Sequence, residues 1–146
     1  MIKLTTNKNL YSGLIKQDTF SDRLIFFLLH FAFFLKAYKN EKNSKILQEI
    51  YDFNFRQLEL SIREIGYGDA SINKKMKNYV NVFYSILSKI ENWENLDRTG
   101  QNQIIENYLN INNDSLIFPQ YFNRYINYLK KNTFNSLLKG VIKPNF

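Results

Sequence analysis

The stretch "LIFFLLHFAFFL", Leu24–Leu35, decides the fold class of this chain. It is twelve residues long and closed by Arg23 and Lys36, whereas a helix that spans a bilayer needs about 20 apolar residues. It lies behind Asp18 and Asp22 and no small-residue cleavage site follows it, so we do not expect a secretory signal peptide. A helix that is apolar on every side is most simply the buried central helix of a bundle.

The sequence around this stretch has the spacing of amphipathic helices. No run of alternating apolar and polar residues is long enough for a sheet, so we predict an all-α fold, a single compact bundle of five or six helices with a buried first helix. We expect residues 1–19 to form a loosely ordered arm and residues 20–146 to form one domain, with Gly140 and Pro144 closing the last helix. The predicted helices cover about 22–39, 45–65, 72–92, 101–110 and 119–139.

Composition excludes several kinds of chemistry. The chain has no cysteine and one histidine, so disulfides, thiolate sites and a two-histidine metal site within one chain are ruled out. It contains no glycine-rich phosphate loop and no metalloprotease motif. His30 lies in the most apolar segment, where a lone histidine is usually a core residue satisfied by a hydrogen bond. We therefore expect no enzyme activity, no cofactor and no metal.

The net charge of +7 favours anionic partners such as nucleic acid, lipid headgroups or acidic proteins. The excess is mostly lysine in a chain that is also rich in Asn, Ile, Phe and Tyr, the residues of AT-rich codons. Genome composition alone therefore accounts for much of the charge, and its distribution along the chain is more informative.

The segment "REIGYGDASINKKMKNY", Arg63–Tyr79, concentrates basic residues after a turn. We expect Gly66 to end the second helix and Ser71 or Asn73 to cap the third. The third helix would then open with Lys74, Lys75 and Lys77, where the positive end of the helix dipole disfavours cations. A purely structural interpretation explains the glycines as a hairpin turn, Arg63 as favouring the helix end, and Asp69 as a local side-chain bond, and it has Glu64 and Asp69 neutralise the lysines.

A functional interpretation explains the lysines better. Amide donors at a helix start together with lysines attract anions, and a strip on one face extends this site along the third helix. The candidate binding residues are Arg63, Glu64, Gly66, Gly68, Asp69, Lys74, Lys75, Lys77, Asn81 and Tyr84. Charge reversal of the three lysines is expected to weaken association while preserving or raising the melting temperature.

The same segment resembles the ubiquinol–cytochrome c chaperone family. Members carry L-R-E-x-G-V-G-D, then K-K-M-K, then F-Y. The matching positions here are Arg63, Glu64, Gly66, Gly68, Asp69, Lys74, Lys75, Met76, Lys77, Phe83 and Tyr84. Upstream, "FSDRLIFFLLHFAFFLKAY" is similar to the family's first helix, and "YFNRYINYLKKNTFNSLLKG" is similar to its last in pattern. Tyr67 stands where the family usually has Val, and Ser85-Ile86 stand in place of Gly-Arg.

The resemblance implies a non-enzymatic assembly chaperone. Its client would be cytochrome b, nascent or unassembled, during biogenesis of ubiquinol–cytochrome c reductase, with a small partner protein and a possible ribosome contact. The expected location is cytoplasmic, or peripheral at the inner face of the inner membrane. A chaperone for an apolar client also needs an apolar surface. The first helix would offer one at Phe26, Phe27, Phe33 and Phe34 if it is not covered on every side. The alternative, that these residues are core, is favoured for most of them.

Two other functions stay open at this point. One is an RNA- or ribosome-binding module that uses the basic helix start, which predicts steep salt dependence. The other is a bundle that binds a lipid or small molecule in a pocket at His30 and Phe83.

Overall fold

The protein is an all-α bundle. A computed structural model describes Thr5, residues 20–111 and residues 116–139. Within these residues there are six α-helices and one 3-10 helix, Trp93–Asn95. The α-helices are α1 (Phe20–Tyr38), α2 (Ser44–Glu64), α3 (Asp69–Lys89), α4 (Arg98–Glu106), α5 (Ile117–Lys131) and α6 (Phe134–Leu138). The predicted arm lies outside the described residues apart from Thr5, and Gly140 and Pro144 lie outside them too.

Helix α1 is the central helix, as the sequence predicted. Its segment from Leu28 to Phe34 is buried at every position because α3 and α5 pack against it. Aromatic rings make many of these contacts: Phe31 stacks on Phe83 of α3 at 5.3 Å, and Phe26 lies 5.6 Å from Phe118 of α5. Each fully buried side chain of this size contributes about 1.5–3 kcal/mol of hydrophobic stabilisation.

The phenylalanines of α1 belong mostly to the core, which is the alternative that the sequence favoured over an apolar surface. Phe26 and Phe33 are fully buried, Phe34 is nearly so, and Phe27 is partly buried against the core. Neighbouring helices cover α1 over residues 28–34, so Phe33 and Phe34 do not supply a surface for an apolar partner.

The single tryptophan, Trp93, closes the core where the chain passes from α3 to α4. Its ring is fully buried and meets Phe33 edge to face at 5.0 Å. Its Nε1 donates a hydrogen bond to Asn123 Oδ1 of α5 at 2.9 Å. Gln101 also bonds to Asn123, so one amide group of α5 joins the 3-10 helix to α4.

Two predicted helix bounds differ from the structure in ways that matter. Helix α3 begins at Asp69, with Gly68 as its N-cap, and not after Ser71 or Asn73. The predicted last helix is divided, because the backbone becomes extended at Asn132 and Thr133 caps a new short helix by accepting a bond from Ser136 N. In the described residues, no helix has both the length and the apolar character needed to cross a membrane.

Candidate functional site

The turn between α2 and α3 positions the predicted site. Gly66 has φ of +100°, a backbone conformation that side chains with a Cβ rarely adopt, and its N–H donates to Arg63 O at 2.9 Å. Gly68 is extended and its carbonyl accepts from Ile72 N at 3.0 Å, which starts α3. The prediction that Gly66 ends α2 is therefore confirmed, and the glycines have a sufficient structural role.

Arg63 joins the two helices that flank this turn. Its Nη1 donates to Asp69 Oδ1 at 2.6 Å and its Nη2 donates to Glu59 Oε1 at 2.9 Å. The hydrogen bond to Asp69, followed by the one to Glu59, raises the pKa of Arg63 above its usual value. All three side chains are substantially exposed, so these pairs fix the geometry of the turn more than they stabilise the fold.

The lysines do not lie at the start of α3. Because the helix begins at Asp69, Lys74, Lys75 and Lys77 lie in its second and third turns, whereas the dipole effect fades within the first turn. The premise that the backbone disfavours them is wrong. Asp69, in the first turn, carries the charge that the helix start favours.

In the part of the chain that the structure describes, no carboxylate pairs with these lysines. Among the described residues, no carboxylate oxygen lies within 4.0 Å of their Nζ atoms, and Asp69, expected to neutralise them, binds Arg63 instead. Lys75 points back to the turn, with its Nζ 4.5 Å from the centre of the Tyr67 ring. Lys74 and Lys77 are exposed.

One exposed face of α3 carries the remaining candidates. At 100° per residue, Lys74, Lys77, Asn81 and Tyr84 share a face, and all four are exposed. We call these four residues the cationic strip. Tyr84 is 57% exposed, which is high for an aromatic side chain beside a core.

Beside the strip, the structure opens a groove between α1, α2 and α3. It has a volume of about 780 Å³, and Phe83 and Tyr84 both line it. The groove residues are apolar along the floor and polar or charged at the rim. The floor consists of Leu35, Leu47, Tyr51, Phe83 and Leu87, and the rim includes Lys36, Lys39, Glu41, Gln48 and Glu91. Tyr84 belongs to both features, so the groove and the cationic strip form one continuous surface.

Lys36 at the rim has partners within the chain. Its Nζ donates to Ile90 O at 2.9 Å and also forms an ion pair with Glu94. Burial raises the pKa of Glu94, but the hydrogen bond from Lys36, a backbone hydrogen bond and the charges of Lys36 and Lys130 together lower that pKa below its usual value. Lys36 therefore holds α1 to the end of α3, and Lys39 is the exposed cation of the rim.

His30 lies away from the groove. It is fully buried in the core, with its Nδ1 2.6 Å from Phe26 O and its Nε2 2.7 Å from the Tyr121 hydroxyl. Phe83 lines the groove without His30, so the structure does not bring the two residues together in one pocket, and His30 has the role of a satisfied core histidine.

The groove was not predicted from the sequence. Leu47, Tyr51 and Leu87 all follow helical spacing and were indistinguishable from residues that pack fully against a neighbour. The gap arises because α2 packs chiefly on α3 and leaves the end of α1 uncovered, which depends on how three helices are arranged. The polar loop after Lys39 was the one local signal that the chain is exposed at this end of α1.

These observations define the class of protein: an all-α bundle in which a groove with an apolar floor adjoins the cationic strip. A family profile described as ubiquinol-cytochrome C chaperone matches residues 15–106, which is more than half of the 146 residues. The chain therefore belongs to the ubiquinol-cytochrome C chaperone family. The match includes the groove and the strip and ends at the last residue of α4. Comparisons with curated proteins and with solved structures returned no match.

Proposed function

We propose that this protein binds newly made cytochrome b and holds it until ubiquinol–cytochrome c reductase is assembled. Family membership supports the chaperone role. The observation that carries the choice of client is the continuous surface of groove and cationic strip, because it offers an apolar and a cationic subsite side by side. An unassembled membrane subunit presents both apolar segments and charged loops.

The groove is suited to part of an apolar segment. Its volume of about 780 Å³ falls in the range of about 300–1,000 Å³ for sites that take compact ligands. A membrane-spanning helix of 20 residues is about 30 Å long and does not fit into such a cavity. We expect the groove to accept a few large apolar side chains from one face of the client, while the rim stays in water.

The cationic strip would bind an acidic loop of the same client. Lys74 and Lys77 are exposed and have no carboxylate partner in the described part of the chain, so they are available for charge-assisted hydrogen bonds. Their charge would also favour the anionic inner leaflet of a membrane. We propose a cytoplasmic protein that works peripherally at the inner face, with a small partner protein as a further component.

The test is performed in a host that lacks the gene. Tyr84→Ala and wild type are each supplied, and assembled cytochrome b is measured by its haem absorbance and on native gels. Tyr84→Ala is expected to lower assembled cytochrome b severalfold at an equal level of the chaperone. Phe20→Ala is the matched control, because Phe20 is also an exposed aromatic residue, at 46%, outside the groove and strip. Equal assembly with both variants would contradict the proposed site.

Crosslinking identifies what touches the surface. A photoreactive phenylalanine at Tyr84 is expected to capture cytochrome b, and the same group at Asn127, on the exposed face of α5, is expected not to. Capture of ribosomal protein or RNA from position 84 without cytochrome b would favour the second candidate function, an RNA-binding module.

The unpaired lysines are the observation that favours that second candidate. RNA binding predicts that affinity falls steeply with salt. Lys74→Glu with Lys77→Glu is expected to weaken binding of the true partner by about tenfold or more, equivalent to about 1.4 kcal/mol. Lys42→Glu with Lys45→Glu is the control, since it changes net charge equally at two exposed positions, one in the turn before α2 and one in its first turn. Equal loss in both double variants would show that only net charge matters.

A further inference from the structure

The solvent face of α2 carries a stripe of large apolar side chains. Ile46, Phe53 and Leu60 are 36%, 62% and 44% exposed, and they follow one another at intervals of seven residues. Leu47, Phe55 and Ile62, which are the buried residues of α2, lie on the opposite side. We call Ile46, Phe53 and Leu60 the outer stripe.

The outer stripe is separate from the surface proposed for the client. None of its three residues lines the groove, and they lie on a different helix from the cationic strip. Single exposed apolar residues are common, but three large ones aligned on one face of a helix are unusual on a folded monomer and point to an interaction site. Phe53, at the centre of the row, is the most exposed of the large hydrophobic residues described.

The arrangement of charges shows what fits the stripe. Glu49 and Arg56 are exposed and lie on the same flank of it, one turn before and one turn after Phe53. The apolar residues are symmetric about the same point, because Ile46 and Leu60 are each seven positions from Phe53. A two-fold axis through Phe53 therefore places Ile46 against Leu60 of a second copy and Glu49 beside Arg56 of that copy. The symmetry produces each of these contacts twice.

We propose that a second copy of this chain covers the outer stripe, with the two α2 helices antiparallel. In an antiparallel pair the same flank faces itself, so each Glu49 meets an arginine. In a parallel pair this flank would instead face the opposite flank of the second copy, where Ile50 and Gln57 carry no charge, and the two Glu49–Arg56 pairs would be lost.

The size of the contact sets the expected affinity. Helix α2 has 21 residues and is therefore about 31 Å long. One pair of helices of this length buries less than the roughly 800 Å² per partner of a standard stable interface. We expect a dimer that dissociates in the micromolar range and leaves the groove, on the other side of α2, open.

Cysteine crosslinking tests the geometry on the full chain, which has no native cysteine. Phe53→Cys is expected to form a disulfide-linked dimer alone. Ile46→Cys and Leu60→Cys are expected to link when mixed and not when alone. Asp52→Cys, exposed on the same helix but about 100° away, is the control and is expected to remain unlinked. Links of 46 to 46 and 60 to 60 would indicate parallel pairing and overturn the proposal.

Charge exchange provides a second test, measured by sedimentation at several protein concentrations. Glu49→Arg and Arg56→Glu are each expected to weaken self-association by about tenfold or more. Mixing the two variants is expected to restore it, because each arginine then meets a glutamate in the mixed dimer. Circular dichroism checks that each variant is folded. A wild-type chain that stays monomeric above about 100 μM, or a mixture that fails to associate, would overturn the proposal.

Discussion

His30 is a fully buried polar residue, and its two hydrogen bonds determine its protonation state. A backbone carbonyl only accepts hydrogen bonds, so Nδ1 donates to Phe26 O, and Nε2 therefore accepts from the Tyr121 hydroxyl. The ring is the neutral form with the proton on Nδ1. Burial lowers the pKa of His30 to about 4, because a charged imidazole would lose its water and would place a donor against the Tyr121 hydroxyl.

The first prediction concerns acid stability. An unfolded histidine has a pKa of about 6.5. Between pH 6.5 and pH 4, His30 is therefore protonated in the unfolded chain but neutral in the folded chain. The free energy of unfolding is therefore expected to fall as pH falls through this window, by about 2 kcal/mol between pH 7 and pH 5. Urea unfolding of wild type and His30→Gln measures it. The variant is expected to show the smaller decrease with pH, and equal decreases would contradict the assignment.

The second prediction separates backbone strain from crowding at the two turn glycines. A Cβ added at Gly66 or at Gly68 would meet nothing within 4 Å, but only Gly66 has a positive φ. Gly66→Ala is therefore expected to lower the free energy of unfolding by roughly 1–2 kcal/mol. Gly68→Ala is the control and is expected to change it by less than about 0.5 kcal/mol. If Gly68→Ala lowered the free energy of unfolding as much as Gly66→Ala, the prediction would be wrong. The stability of the turn would then depend on backbone flexibility at Gly68 and not on the positive φ of Gly66.

Some residue-level features follow from sequence and others do not. The core position of His30 and the turn at Gly66 were predictable, because an apolar run and a helix-ending glycine are local signals. The Tyr121 hydroxyl bonded to His30 lies 91 positions away, and no local pattern specifies it.

At the scale of helices, the start of α3 shows why capping residues were misread. Ser71 and Asn73 are good capping residues, yet Gly68 is the N-cap, with no side-chain bond. The bond between Arg63 and Asp69 holds the start of α3 against α2, and the N-cap lies three to five residues earlier than predicted. The divided last helix has the same origin, since Thr133 caps α6 in a region where helical spacing alone continued.

Helix α4 has an N-cap residue that makes a side-chain hydrogen bond, and this cap gives the third prediction. Asp97 accepts a hydrogen bond from Gly100 N at 2.7 Å. Asp97→Ala is expected to lower the free energy of unfolding by about 1 kcal/mol, whereas Asp97→Asn, which keeps an acceptor, is expected to cost much less. Thermal and urea unfolding measure both variants. Equal losses would show that charge, and not capping, is what Asp97 contributes.

At the scale of the whole molecule, adjacent residues of α3 separate folding from binding. Phe83 is fully buried and packs on Phe31, Tyr51 and Phe55, while Tyr84 is largely exposed. The fourth prediction is that Phe83→Ala lowers the free energy of unfolding by about 3–5 kcal/mol. Tyr84→Ala is expected to cost less than about 1 kcal/mol and to reduce client binding. A comparable loss of stability in both would mean that Tyr84 belongs to the core.

The fold of the whole molecule could be predicted from the sequence more fully than the candidate site could. The bundle was predictable because Leu24–Leu35 must be covered and the other helices have apolar faces to cover it. The lysines of the strip were identified, although the reason given for them was wrong. The groove and the outer stripe were not found, because Leu87 and Phe53 look like core residues until the helices have been arranged in space.

Trp93 has a practical consequence. It is the sole indole in the chain, and it is held in a dry pocket against Phe33 by its bond to Asn123. Its fluorescence emission therefore comes from one known place, where the 3-10 helix, α1 and α5 meet. A red shift on unfolding would report the opening of that junction without any label attached to the protein.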